Sequence, residues 1–342
     1  MPLIESVVQS VVKSAVQRVD GVISTFDGPA WLNDSDLVGA YSLYDLYGSG
    51  NAIMQLSGQG ATQRIDFTRA EYENINSNGQ GLPNSLIVVD KLYNQVPGSS
   101  NSDLSETTNN LSYRPSVAFR PYNRFDYVLF DAAGQYTGQV LSMSNLSNLS
   151  LTFDGDVTFI VIAQNNYTSA DPYSTHPFVA GFQYAESMGT SGDDDFRALV
   201  VDDDGGPMYM EARSHDRTAS SEATASTTAH FISSYGTYAG VFKSKNDSYN
   251  TCDERKLYST SSSNPTTGSL TLRGTNTTDV QYLGSSSDTS TSQYLSVGAR
   301  RGGYGGNADR VDMDFKALLV FKKLMTLDEI NKVADGLRGV VL

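Results

Sequence analysis

One cysteine, one tryptophan and three histidines stand among 342 residues, and charged side chains make up only 18 % of the chain. With Cys252 alone no intrachain disulfide can form, so stability must come from burial or from association. His176, His215 and His230 are far apart and have no partner at ligand spacing, which excludes a zinc motif. No apolar run approaches the ~20 residues that a membrane-spanning helix requires. No G-x-S-x-G elbow and no phosphate-binding G-x-x-x-x-G-K-[ST] loop occurs. The formal net charge is −14, and no Lys/Arg cluster is interleaved with aromatics, so nucleic acid is excluded as a partner.

What is abundant is Ser, Thr, Asn, Gly and Tyr, with 30 Gly and 20 Tyr. That is the composition of short strands joined by polar turns, and it predicts an all-β chain. The exception is the start. Ile4, Val8, Val11, Ala15, Val19 and Val22 recur at steps of four and three and form one apolar helical stripe. An isolated helix of this length, rich in valine, is marginal in water. It therefore docks against copies of itself, against a neighbouring protein or against its own domain. Asp27-Gly28-Pro29 breaks it, giving an anchor segment over 1–27 and one β-domain over 28–342.

Strand patterns follow at 38–47, 52–56, 64–67 and 86–95, and the segment 109–117 closes this part. Leu151–Phe153 and Val157–Ala163 flank the turn Asp154-Gly155-Asp156. Phe178–Phe182 comes next, then Phe196–Val201 and Met208–Ala212, joined as a hairpin through Asp202-Asp203-Asp204-Gly205-Gly206. His230–Phe242 supplies another strand or two, and Ser259–Gly268 and Ser285–Ser292 read as Ser/Thr-rich loops. Tyr294–Ala299 alternates as a strand and runs into the loop of Gly302, Gly303, Gly305 and Gly306. Val311–Ala317 alternates again and ends in the apolar run Leu318–Phe321. Thr326-Leu327-Asp328-Glu329 is a capping box that opens a short helix. Ile330, Val333, Ala334 and Leu337 form its apolar face, and Gly336 and Gly339 offer places for it to end.

The C-terminal order of strand, glycine loop, strand and capped helix, carried by Val297, Gly298, Ala299, Phe315, Leu318, Thr326, Glu329 and Ile330, resembles laminin-G-like, concanavalin-A-like jelly rolls. Ala40-Tyr41-Ser42-Leu43, Leu92-Tyr93-Asn94-Gln95 and Arg114-Pro115 resemble a module of tailed-bacteriophage tail and fibre proteins. That module is related to the catalytic domain of family-54 α-L-arabinofuranosidases. The resemblance implies an all-β, concanavalin-A-like jelly-roll sandwich with an N-terminal helix and a short C-terminal helix. It also implies a non-catalytic virion protein: a fibre, appendage or surface decoration, assembled as a homo-oligomer such as a trimer through Ile4, Val8, Val11 and Val19. Its partners would be other virion proteins and host-surface glycan. The N-terminus lacks the basic flank and cleavage site of a secretory signal, which fits release by lysis. The alternatives are a glycan-active hydrolase of arabinofuranosidase type and a lectin.

A retaining glycosidase needs two carboxyls ~5 Å apart. By resemblance, Glu186 in Tyr184-Ala185-Glu186 stands where the family has its nucleophile, and Arg300 and Arg301 stand where it has its acid. A guanidinium cannot protonate a leaving oxygen. The expectation is therefore no catalysis, with Glu186 the residual candidate and Tyr184, Arg300, Arg301 and Tyr304 available to grip a glycan. No cofactor is expected. Asp193, Asp195, Asp202 and Asp204 are calcium candidates of the loop-carboxylate kind but fit no EF-hand spacing, and solvated turn acids are the competing reading.

Deleting residues 1–24 is expected to lower the oligomeric state or abolish incorporation into particles while the β-domain still folds. Solution mass and particle incorporation measure this, and two unchanged values refute the anchor.

Overall fold

The computed structural model describes residues 29–58, 64–71, 87–99, 101–106, 114–117, 127–130, 139–152, 155–165, 178–184, 195–201, 208–213, 220–224, 235–245, 251–261, 263–277, 280–281, 293–299 and 311–342. In chain order the strands are β1 (Leu37–Ser42), β2 (Ala52–Gly58), β3 (Arg64–Thr68), β4 (Ile87–Leu92), β5 (Leu104–Ser105), β6 (Ser116–Val117) and β7 (Val128–Phe130). Next come β8 (Leu141–Ser144), β9 (Val157–Asn165), β10 (Phe178–Tyr184), β11 (Asp195–Val201), β12 (Met208–Arg213) and β13 (Ser220–Thr224). The last are β14 (Gly236–Lys245), β15 (Thr251–Ser259), β16 (Thr271–Asn276), β17 (Val280–Gln281), β18 (Gln293–Val297) and β19 (Met313–Phe321). One helix, α1 (Leu327–Val341), follows.

Every pairing is antiparallel. One layer runs β3-β2-β4-β5-β8-β18-β10-β11-β12-β13. The other runs β1-β19-β9-β14-β15-β16. Short strands β6 and β7 join β4 to β19 and so tie the layers at one side. The core lies between them: Leu56, Leu92, Leu141, Phe182, Leu199 and Leu295 from the first layer meet Phe159, Val161, Tyr238, Phe242, Leu318 and Val320 from the second. The Phe159 ring packs edge-on against Phe182 at 5.0 Å and Phe242 at 6.1 Å, the arrangement that aromatic quadrupoles favour. This is an all-β jelly-roll sandwich with a C-terminal helix: all-β as composition and alternation predict, and a jelly roll as the resemblance implies. The N-terminal segment with Ile4, Val8, Val11 and Val19 lies outside the described residues.

β19 is buried at all nine positions. Met313, Phe315, Leu318 and Val320 face the core between the sheets, whereas Ala317, Leu319 and Phe321 face a second core under α1. A bulge between Phe315 and Ala317 produces the change of phase. The apolar run Leu318–Phe321 is thus a strand covered on both faces.

Two differences from the sequence reading concern element ends. Leu151 and Thr152 are not in a strand; they follow the 3-10 turn Leu146–Leu149, and Thr152 accepts from the Gly155 amide. The helix does not stop at Gly336 or Gly339. A Cβ at Gly336 would collide with the Trp31 indole, so this glycine serves close packing rather than termination.

The capping box is formed as the sequence predicts. Thr326 Oγ1 accepts from the Glu329 amide at 3.3 Å, and Glu329 Oε2 accepts from the Thr326 amide at 2.7 Å. Lys323 bridges Asp34 at 2.6 Å and Glu329 at 3.4 Å, so the helix start is tied to the turn before β1. The backbone N–H of Thr326, and then its hydroxyl, hold the Glu329 carboxyl below its ordinary value of 4.5. A depressed carboxyl stabilises the fold above its ordinary value, and the stabilisation disappears as pH falls through the folded value. Glu329→Ala is therefore expected to cost on the order of 1 kcal/mol at pH 7. The gap to wild type should narrow below about pH 4; urea midpoints across pH 3–7 measure it.

Candidate functional site

Alternation along the first layer sends one set of side chains into the core and the other outward. The outward set is polar across seven strands. Cross-strand register places Asp66 opposite Gln55, Gln55 opposite Lys91, Lys91 opposite Ser105, Ser105 opposite Ser142, Ser142 opposite Ser296, and Ser296 opposite Gly181. Two residues along, Ser144, Tyr294 and Gln183 form a parallel row. The middle of this face is closed: Ser142, Gln183 and Ser296 are buried. Ser296 Oγ has no hydrogen-bond partner among the described residues. The wing over β3, β2 and β4 is open, with Asp66 exposed and Gln55, Lys91 and Tyr93 partly so.

The open wing is internally ordered. Asp66 Oδ1 accepts from both the Tyr93 hydroxyl and the Gln55 amide, each at 2.7 Å. Lys91 Nζ lies 5.1 Å from the centre of the Tyr93 ring and 3.6 Å from Asp103 Oδ2, while Asp103 Oδ1 accepts from the Asn94 amide at 3.0 Å. Burial, and then the bond to Asp66, push the Tyr93 hydroxyl up, so it remains a donor at neutral pH. Further along the same strands, Asp90 pairs with the buried Arg114, and Arg64 reaches the pair at 3.9 Å. A buried pair of this kind survives only where both charges are matched.

The residues that carry the sequence resemblance do another job. Asn94 uses its whole side-chain amide: Oδ1 accepts from the Ala40 and Val96 amides, and Nδ2 donates to Val38 O and Ser102 Oγ. Gln95 donates to the Ser42 and Tyr44 carbonyls and accepts from the Leu46 amide. The buried Tyr41 hydroxyl donates to Ser102 O at 2.7 Å. The two motifs are thus halves of one clasp that covers the free edge of β1, where an unpaired strand would invite aggregation. Arg114-Pro115 belongs to the same frame, since Pro115 O accepts from the Val89 amide.

Of the predicted site residues, Tyr184 ends β10 opposite Gln293 and Asp195 opens β11. Glu186, Arg300, Arg301, Tyr304, Asp193, Asp202 and Asp204 lie outside the described residues. The antiparallel register of β10 with β18 brings Tyr184 to Gln293 and Ala180 to Val297. The chain therefore leaves Tyr184 and Ala299 at opposite ends of this strand pair. Gly298 has φ +92 and is tucked against Phe130, with no room for a Cβ. Among the described residues no three His, Cys, Asp or Glu side chains are grouped as a metal site. No helix among them is long and apolar enough to cross a membrane. The Gln55–Asp66–Tyr93–Lys91 wing was not legible as a site, because its members come together only through long-range pairing.

No protein-family model matches the chain, and no curated protein does. Among solved structures, a mutant GH54 α-L-arabinofuranosidase soaked with 4-nitrophenyl α-L-arabinofuranoside is similar with a TM-score of 0.58 at 12 % identity. An arabinofuranosidase complexed with arabinofuranosyl-α-1,2-xylobiose gives 0.58 at 13 %. In both cases 92 % of this chain and 65 % of that chain are covered, so the chain spans just under two thirds of these enzymes. A Ruminococcus gnavus IT-sialidase CBM40 bound to α2,3-sialyllactose has a TM-score of 0.40 at 14 % identity, covering 61 % of this chain and 92 % of that one. The likeness to the arabinofuranosidases establishes the fold.

Asn94→Ala leaves two backbone amides, one carbonyl and a serine hydroxyl without their partner. The expected cost is about 2–4 kcal/mol. A urea titration reads it, and an unchanged midpoint would refute the clasp.

Proposed function

We propose that this chain is a non-catalytic virion structural protein of a tailed bacteriophage, a fibre, appendage or surface decoration, that recognises host-surface glycan through the outward face of its first sheet. The observation that carries the glycan reading is how the carboxylates of that face are engaged. Asp66 holds Tyr93 and Gln55, Asp90 holds Arg114 and Asp103 holds Lys91. Each is committed to ordering neighbouring donors, which fixes the geometry that a ligand meets. Ordered amide, ammonium and phenol groups on an open sheet face make a binding surface.

The virion assignment rests on the resemblance of Ala40-Tyr41-Ser42-Leu43 and Leu92-Tyr93-Asn94-Gln95 to the phage module. Assembly as a trimer through Ile4, Val8, Val11 and Val19 completes it. The arabinofuranosidase likeness supports a glycan-handling ancestry of the fold, and Arg300 and Arg301 at the place of the family's acid favour loss of the reaction.

The test is turnover. Aryl α-L-arabinofuranosides and other aryl glycosides are expected to remain intact, and Glu186→Gln to leave host attachment unchanged. Hydrolysis that disappears in Glu186→Gln would establish the enzyme instead.

A further inference from the structure

We propose that Gln55, Asp66, Lys91 and Tyr93 form a subsite for a neutral sugar, gripped through a pair of adjacent hydroxyls; the assignment rests on the glycan reading above. Three features converge on this ligand class. The first is the unused hydrogen-bonding capacity. Both internal donors to Asp66 land on Oδ1, so Oδ2 has no partner among the described residues and faces solvent on an exposed side chain. Gln55 uses one amide proton for Asp66 and keeps the other proton and its carbonyl oxygen. Lys91 contacts Asp103 at 3.6 Å and keeps ammonium protons to donate. A sugar hydroxyl both donates and accepts, so two neighbouring hydroxyls are satisfied by one carboxylate oxygen together with an amide or ammonium donor.

The second feature is the partly exposed Tyr93 ring beside these groups, a flat apolar surface against which the C–H face of a pyranose or furanose packs. Its orientation is fixed by the hydroxyl bond to Asp66 and by Lys91, which reduces the ordering cost of binding.

The third feature is charge, and it decides between neutral and acidic sugars. Lys91 is balanced by Asp103 and Arg114 by Asp90, and Arg64 and Asp66 match in number, so the wing offers no surplus cation, while Asp66 presents an exposed carboxylate on its outer strand. A uronic or sialic acid would meet that carboxylate on a chain of net charge −14.

The experiment is saturation-transfer NMR on the full chain. The probes are methyl α-D-mannopyranoside, methyl β-D-galactopyranoside and methyl α-L-arabinofuranoside against glucuronic acid and N-acetylneuraminic acid. At least one neutral glycoside is expected to bind and neither acid to bind. Asp66→Asn, which retains the shape and the Tyr93 contact, should weaken the neutral glycoside about tenfold or more. Thermal melts confirm that the variant is folded. Preference for the acids, or neutral binding unaltered by Asp66→Asn, overturns the subsite while leaving the glycan reading intact. Binding of none of the five overturns both.

Discussion

The structure depends on one strand that has no solvent face. Between Met313 and Phe321 every side chain is buried, because β19 lies inside its sheet between β1 and β9 and under α1 on the side away from the main core. Such a strand has to be apolar on both faces. It has to change phase where the two cores meet, and the bulge at Lys316 does this. Lys316 is itself buried. Its ammonium donates to Val341 O at 3.1 Å and lies 4.4 Å from the Tyr235 ring, so the extra residue ties the bulge to the end of α1. With β19 held on both faces, the first sheet is free to present a polar outer surface without loss of core.

Elements with a single local cause were legible in the sequence. The capping box at Thr326 and Glu329 needs only residues three apart, and the hairpin of β11 and β12 needs only alternation around a turn. Strand β15 was not legible. Arg255 occupies an inward position opposite Phe242 and is wholly buried, so the alternation is masked by a charge. Arg197 also occupies an inward, buried position in β11, although the apolar residues after it left that strand legible. Its guanidinium lies 5.7 Å from the Phe182 ring and 5.6 Å from that of Phe242, and it donates to Gly155 O. A sandwich core can hold an arginine where aromatic faces and a carbonyl receive it.

The site shows the same division between local and long-range causes. Resemblance pointed to Asn94 and Gln95 as heirs of a motif, and the structure gives them the role of clasping β1. Tyr93, the residue before them, points to the opposite side and meets Asp66 from 27 positions away. No spacing rule could have joined Asp66, Gln55 and Lys91, since their meeting is a consequence of how β3, β2 and β4 pair.

The most direct test of the account is hydrogen–deuterium exchange of the full chain with and without a saturating neutral oligosaccharide. Recognition by the outward face of the first sheet predicts slowed exchange in peptides spanning 52–68 and 87–105. Slowed exchange confined to peptides spanning 185–194 and 298–310 would place the glycan at the arabinofuranosidase-like position instead and contradict it.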